Sequence, residues 1–208
     1  MNKPRASTPA LFIGGILILT FGIALTIRAD LGISPFDALL VGLSTTVGLT
    51  VGSWEVLIAI ILIGCNACLA GRRPEILGLA TAFITGIGID GWLFILNHLV
   101  EPELLINKFI CFGLGMLIIG AGTSIYLHAS FAPIPIDRLT LVLRETTKLS
   151  LLVTRTMIYL VFLIAALLVH GPIGIGTILT VCLGGLILNY WMPLTRKAID
   201  SSTSNKGR

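Results

Sequence analysis

Arg28-Ala-Asp-Leu-Gly-Ile-Ser-Pro-Phe-Asp37 and His128-Ala-Ser-Phe-Ala-Pro-Ile-Pro-Ile-Asp137 lie one hundred positions apart and share a Pro-x-Asp ending. Outward from this pair, residues 15–49 align with 115–149 without a gap, and 11 of the 35 positions are identical. The matches are Gly15, Leu17, Ile18, Gly22, Ala29, Pro35, Asp37, Leu39, Leu43, Thr46 and Leu49, each repeated at +100. Leu and Gly coincide readily in an apolar chain, whereas a proline and an acid together do not. Internal duplication of a hydrophobic sequence marks alternating-access and channel folds. It makes the repeated Pro-x-Asp segment the expected working part.

The composition sets the class. The chain has 208 residues, 55% hydrophobic and only 12% charged, with a mean hydropathy of +1.00. A soluble domain carries about 25% charged residues, so this chain reads as an all-α polytopic membrane protein in contact with the lipid bilayer. The apolar stretch 10–27 follows Lys3 and Arg5. It is longer than the ~7–15 residues of a signal-peptide core and reads as a first span. Cys65, Cys68, Cys111 and Cys182 all fall in apolar runs. The Cys65-x-x-Cys68 pair lacks a second pair or a nearby His, so neither a metal site nor a cofactor is expected. Nothing in the charge pattern points to nucleic acid.

Apolar stretches at about 10–28, 53–70, 75–98, 105–127, 151–170 and 173–192 approach the ~20 residues that cross a bilayer. The segments 36–47 and 136–148 are too short: twelve helical residues rise only ~18 Å. Both follow a Pro, and such segments are tolerable at membrane depth only when covered by protein or water. They read as re-entrant half-helices. With six spans and a cytoplasmic N-terminus, 12 of the 14 Lys and Arg fall inside and only Arg28 and Lys108 outside, as the positive-inside rule favours. Three spans per repeat is an odd number, so the repeats are expected to be inverted. The organisation is then a cytoplasmic tail (1–9), a first repeat (10–100), a second repeat (101–195) and a disordered cytoplasmic tail (196–208).

Pro35 and Pro135 suit a first helical position, where the missing N–H is not needed and φ is preset. Ser34 then falls at the N-cap and Asp37 at N3, a Ser-x-x-Asp capping box. The second repeat has Ile134 in place of Ser34, so capping alone explains Asp137 less well. A half-helix N-terminus presents free N–H groups and the positive end of a dipole. Two such ends meeting near the midplane would make a binding site, with Ser34, Pro35, Asp37, Pro135 and Asp137 around it. Asp90 lies inside the Gly-rich third span, and an intramembrane acid is a candidate functional group. Gly78, Ala82, Gly86 and Asp90 share one helix face, and the small residues among them suit close packing.

Arg28, Asp30 and His128 close the first and fourth spans, as interfacial anchors or as gating and proton-handling groups. Glu55 and Arg155, also one hundred apart, begin the second and fifth spans and are expected near opposite membrane faces, anchoring helix ends. Asn66, Thr123, Ser124 and Asn189 suit polar contacts between helices.

The run Ala29-Asp-Leu-Gly-Ile-Ser-Pro-Phe-Asp-Ala-Leu39 and the stretch Gly86-Ile-Gly-Ile-Asp90 resemble the YczE/YyaS/YitT group of bacterial integral membrane proteins, from the first span to the last. The resemblance implies a bacterial cytoplasmic membrane and carries no substrate. The second repeat departs from the motif at the Gly32 and Ser34 positions, with Ala132 and Ile134, so any site is expected to be asymmetric.

Inverted repeats, paired half-helices and intramembrane acids together point to a secondary transporter of a small polar molecule or ion. A channel uses the same architecture. The alternative from a second class is a non-transporting accessory protein that docks a partner, resting on the basic cluster Arg138, Arg144, Lys148 and Arg155. No catalytic motif is present, so the chain is not expected to be an enzyme. Its small size and glycine faces suggest a homodimer.

Overall fold

A computed structural model describes residues 8–129 and 133–205. It is all-helical, with α1 Thr8–Arg28, α2 Pro35–Thr46, α3 Val51–Ala70, α4 Leu77–Leu96, α5 Leu105–His128, α6 Pro135–Thr147, α7 Leu151–Leu168 and α8 Ile175–Asn205. Five helices, α1, α3, α4, α5 and α8, are long and apolar enough to cross a membrane. The sixth expected span, α7, is also apolar but shorter. The disordered tail expected from residue 196 is helical as far as Asn205, because α8 continues past Pro193 without ending.

Local chemistry explains where the short helices start. Ser34 caps α2, its hydroxyl accepting the Asp37 N–H at 3.2 Å and donating to the Asp37 carboxylate at 2.5 Å. Pro35 occupies the first turn. α6 starts at Pro135 after Ile134, which offers no side-chain cap. Thr50 caps α3 and Ser150 caps α7, each accepting an N–H three residues on. α2 and α6 have 12 and 13 residues, so each spans only ~18–20 Å.

α1 and α5 form the centre, and α4 and α8 flank them, α4 on α1 and α8 on α5. α2 packs on α7 and α3 on α6. Four glycines set the α1–α5 distance. A Cβ on Gly22 would lie 2.7 Å from the Ile119 nitrogen and 2.8 Å from the Gly115 oxygen. One on Gly122 would lie 2.3 Å from the Leu19 nitrogen and 2.8 Å from the Gly15 oxygen. Backbones this close leave no room for a side chain, and small residues allow such an approach in lipid. The bundle exterior is lined by exposed large apolar residues such as Ile61, Phe83, Ile87, Val161 and Ile178. On a protein in water a surface of this kind would drive association; here it faces acyl chains.

The glycine stripe of the third span is also explained by packing. A Cβ on Gly52 would fall 2.1 Å from the Gly86 oxygen, so α3 and α4 touch backbone to backbone there. Gly32, at φ +91°, turns the chain between α1 and α2, where a Cβ would meet Gly174. Positive φ and this close approach both require glycine.

Candidate functional site

The N-terminal turns of α2 and α6 converge on a cavity of about 150 Å³ to which all eight helices contribute. Asp37 and Asp137, the two Pro-x-Asp acids, both face it, together with Ser34. The sequence-derived pairing of these segments is therefore observed as a spatial one. A cavity of this size compares with one that admits a benzene-sized molecule.

Each aspartate is held by a neighbour. Ser34 donates to Asp37 from the same turn, whereas Asp137 accepts a hydrogen bond from the Tyr126 hydroxyl on α5. Tyr126 is 2% exposed and packs edge-on to Phe12. The missing serine of the second repeat is thus replaced by a tyrosine from another helix, and the asymmetry expected from Ile134 appears as a different partner. Ala132, the other point of departure, lies outside the described residues. Pro135 is buried, and its carbonyl accepts from Asn66 Nδ2 at 3.0 Å. Pro35 is buried as well.

Two further charged residues line the cavity, and their expected placement needs correcting. Glu55 and Arg155 were expected near opposite membrane faces; both instead reach the same cavity. The physical reason is the shortness of α2 and α6. Each carries the chain only ~18 Å before the next helix begins, and Glu55 and Arg155, the fifth residues of α3 and α7, line the cavity from there. Glu55 is 2% exposed. Its carboxylate has no hydrogen-bond or ion-pair partner among the described residues, and it feels the charges of Asp37 and Asp137. Arg155 Nε and Nη2 donate to the Tyr159 hydroxyl at 3.1 and 2.9 Å. Its guanidinium lies over the same ring, 5.3 Å from the centroid, and feels the charge of Asp137. Their shared offset of one hundred, read from the sequence as two helix-end anchors, was the signal that could have joined Glu55 and Arg155 to the site. Tyr126 and Tyr159 carried none.

The remaining candidates lie elsewhere. Asp90 is on the α3–α4 contact, where its carboxylate accepts the Gly52 N–H at 2.8 Å and so caps a free donor in the first turn of α3. Arg28 donates to the Val100 carbonyl at 3.0 Å and the Asn97 side chain at 3.1 Å, and pairs with Glu101 at 3.6 Å. Asp30 pairs with Lys108 at 2.8 Å. These contacts tie together one end of the bundle, away from the cavity. His128 Nδ1 is 2.7 Å from the Ser124 carbonyl, one turn back on its own helix. Ser124 also shares a hydroxyl hydrogen bond with Thr195 across α5 and α8, the interhelical role expected of it. At the other end of α4, Arg138 pairs with Glu75 at 2.6 Å. Among the described residues no three His, Cys, Asp or Glu side chains are placed to hold a metal ion.

Comparison with known proteins places the chain in a family. The chain is 57% identical over 183 residues to an uncharacterized protein, YyaS, of Bacillus subtilis (strain 168), covering 88% of this chain and 91% of that one. It is 35% identical over 196 residues to the uncharacterized membrane protein YczE of the same organism, covering 94% and 90%. An uncharacterized protein of Haemophilus influenzae (strain ATCC 51907 / DSM 11121 / KW20 / Rd) is 26% identical over 187 residues, covering 89% and 83%. No solved structure matches the chain. Residues 7–193 match the model of DUF6198, a family of unknown function. With its five long apolar helices and its likeness to YczE, the chain is a multi-pass bacterial membrane protein that belongs to the DUF6198 family.

Proposed function

We propose that this protein is a secondary transporter of a small polar molecule or ion, working by alternating access around the cavity between α2 and α6. The observation that carries this reading is the meeting of both Pro-led helix N-termini with Glu55 and Arg155 in one cavity. Helix N-termini pointing into a shared site are the device by which broken-helix transporters bind substrate. Charged side chains inside a bilayer are expensive and are retained for function. The site binds and moves its ligand rather than transforming it.

The same reading takes the chain as two inverted repeats, α1–α4 and α5–α8, with α2 and α6 as re-entrant half-helices. The exchange of contacts supports it: Gly22 meets Ile119 and Gly115, while Gly122 meets Leu19 and Gly15. Adding one hundred to the first set gives the second with the partners swapped, as a twofold relation between the repeats requires. The packing of α2 on α7 and of α3 on α6 follows the same swap. The distribution of Lys and Arg supports a bacterial cytoplasmic membrane orientation with both termini inside. Lys108 and Arg28 lie at one end of α4, and Arg138 and Arg72 lie at the other. A homodimer completes the proposal.

The test is ligand screening by thermal shift on the purified protein, followed by counterflow in proteoliposomes. A ligand at one hundred times its dissociation constant stabilises the fold by ~2.7 kcal/mol. Stabilisation that is lost in Asp37→Asn or Asp137→Asn, together with saturable counterflow, supports the transporter. Flux that does not saturate and shows no counterflow indicates a channel. No ligand and no flux from a well-folded sample would end the reading in favour of a docking role.

A further inference from the structure

Resting on the transport reading above, we infer that the substrate class of the cavity is a small organic monocation, a primary ammonium or guanidinium, whose charged end pairs with the Glu55 carboxylate. Three acids and one arginine face the cavity. Asp37 and Asp137 are the third residues of α2 and α6, and each helix N-terminus carries about half a positive charge. Arg155 offsets one further acid. Roughly one negative charge is then left over, and a buried charge without a partner costs several kcal/mol. It is removed by one proton or by one monovalent cation.

Glu55 is where that charge resides. Asp37 already takes the Ser34 hydroxyl and Asp137 the Tyr126 hydroxyl. Glu55, 2% exposed, has no such partner among the described residues and faces the cavity. Among the described residues no three acids are placed to hold a metal ion, so the site suits one ammonium or guanidinium on one carboxylate better than a metal ion. At about 150 Å³ the cavity holds a ligand of the size of benzene. Leu19, Ile23, Phe36 and Ile119 line it against an apolar body. Because proton and cation satisfy the same carboxylate, the two compete, and an exchange of one for the other follows. The other titratable groups facing Glu55 are Asp37 from α2, Asp137 from α6, Tyr126 from α5, and Arg155 and Tyr159 from α7. Among the described residues, α1, α4 and α8 present no titratable side chain to the cavity.

The experiment is a calorimetric titration of the purified full-length protein in detergent. The probes are butylammonium and methylguanidinium, set against acetate, glycine and acetamide, between pH 5 and 9. The expected result is binding of the two monocations alone, weakening as pH falls. At the acidic end the loss approaches tenfold per pH unit, the signature of one competing proton. Glu55→Gln loses this binding and Glu55→Asp retains part of it. Binding of acetate, glycine or acetamide in place of the monocations overturns the cation assignment and leaves the transporter standing. Binding of no probe of any class overturns the cation assignment, and the counterflow assay above then decides the transport reading separately. Monocation binding with a flat pH profile, or unchanged in Glu55→Gln, overturns the role of Glu55. The wild-type panel and its pH profile decide the matter even where Glu55→Gln does not fold.

Discussion

Gly122→Ala adds one methyl group at the closest approach of α1 and α5, and its cost follows from the geometry. The new Cβ would lie 2.3 Å from the Leu19 nitrogen and 2.7 Å from the Leu19 Cα, both backbone atoms. Non-bonded carbon contacts relax only near about 3.5 Å, so the helices must separate by roughly 1 Å. Neither helix can yield by rotating a side chain, and the opening spreads along the seam to Gly15, Gly22 and Gly115. Overpacking of this kind costs about 1–3 kcal/mol, with the upper end applying when backbone must move. Exchanging helical Gly for Ala returns ~0.5–1 kcal/mol, which leaves a net loss of about 2 kcal/mol. Gly22→Ala, whose Cβ would meet the Ile119 nitrogen at 2.7 Å, is expected to lose a similar amount. Gly14 and Gly113 lie on the same two helices with nothing within 4 Å of an added Cβ. Ala there is expected to be neutral or to stabilise by up to about 1 kcal/mol. Reversible unfolding in mixed detergent and SDS micelles, followed by tryptophan fluorescence, measures all four variants. If Gly122→Ala unfolds at the same SDS fraction as Gly113→Ala, the glycine seam does not hold the two helices together and the reasoning fails.

Val47 and Thr147, one hundred apart and both exposed just beyond or at the C-terminal ends of α2 and α6, test the inverted arrangement. In a background lacking Cys65, Cys68, Cys111 and Cys182, Val47→Cys and Thr147→Cys are expected to react with a membrane-impermeant maleimide from opposite sides of intact vesicles. Labelling from one side would remove the basis for inverted repeats. Asp90→Ala removes the acceptor for the Gly52 N–H and is expected to cost about 1 kcal/mol, the usual worth of a helix cap. Ligand-induced thermal shifts should be unaffected in that variant, since Asp90 does not line the cavity; a lost shift would bring it back into the site.

Much of the helix pattern is legible locally, and the reasons are local too. The six apolar stretches follow from bilayer thickness, and the starts of α2 and α6 follow from Pro35 and Pro135 with Ser34 as a cap. Those signals need only a few consecutive residues. The offset of one hundred marked Asp37 and Asp137 as a pair, and they do share a cavity. Asp90 carried the same intramembrane signal, yet it serves the contact of α3 with α4, because an acid in a span satisfies a helix end as readily as a ligand.

Read without coordinates, the amino-acid order already specifies a membrane protein of apolar helices with two short Pro-led helices bearing equivalent acids. Hydropathy, helix length and capping are properties of contiguous segments. Helix packing is what turns Glu55 and Arg155 into the cavity instead of towards the membrane surface, and what supplies Tyr126 as the partner of Asp137 and Tyr159 as the partner of Arg155. Helix rotation and depth are fixed by backbone contacts between helices far apart in sequence, such as Gly22 with Gly115 and Gly122 with Gly15. No local pattern encodes those contacts, because each glycine acquires its meaning from the helix that lies against it.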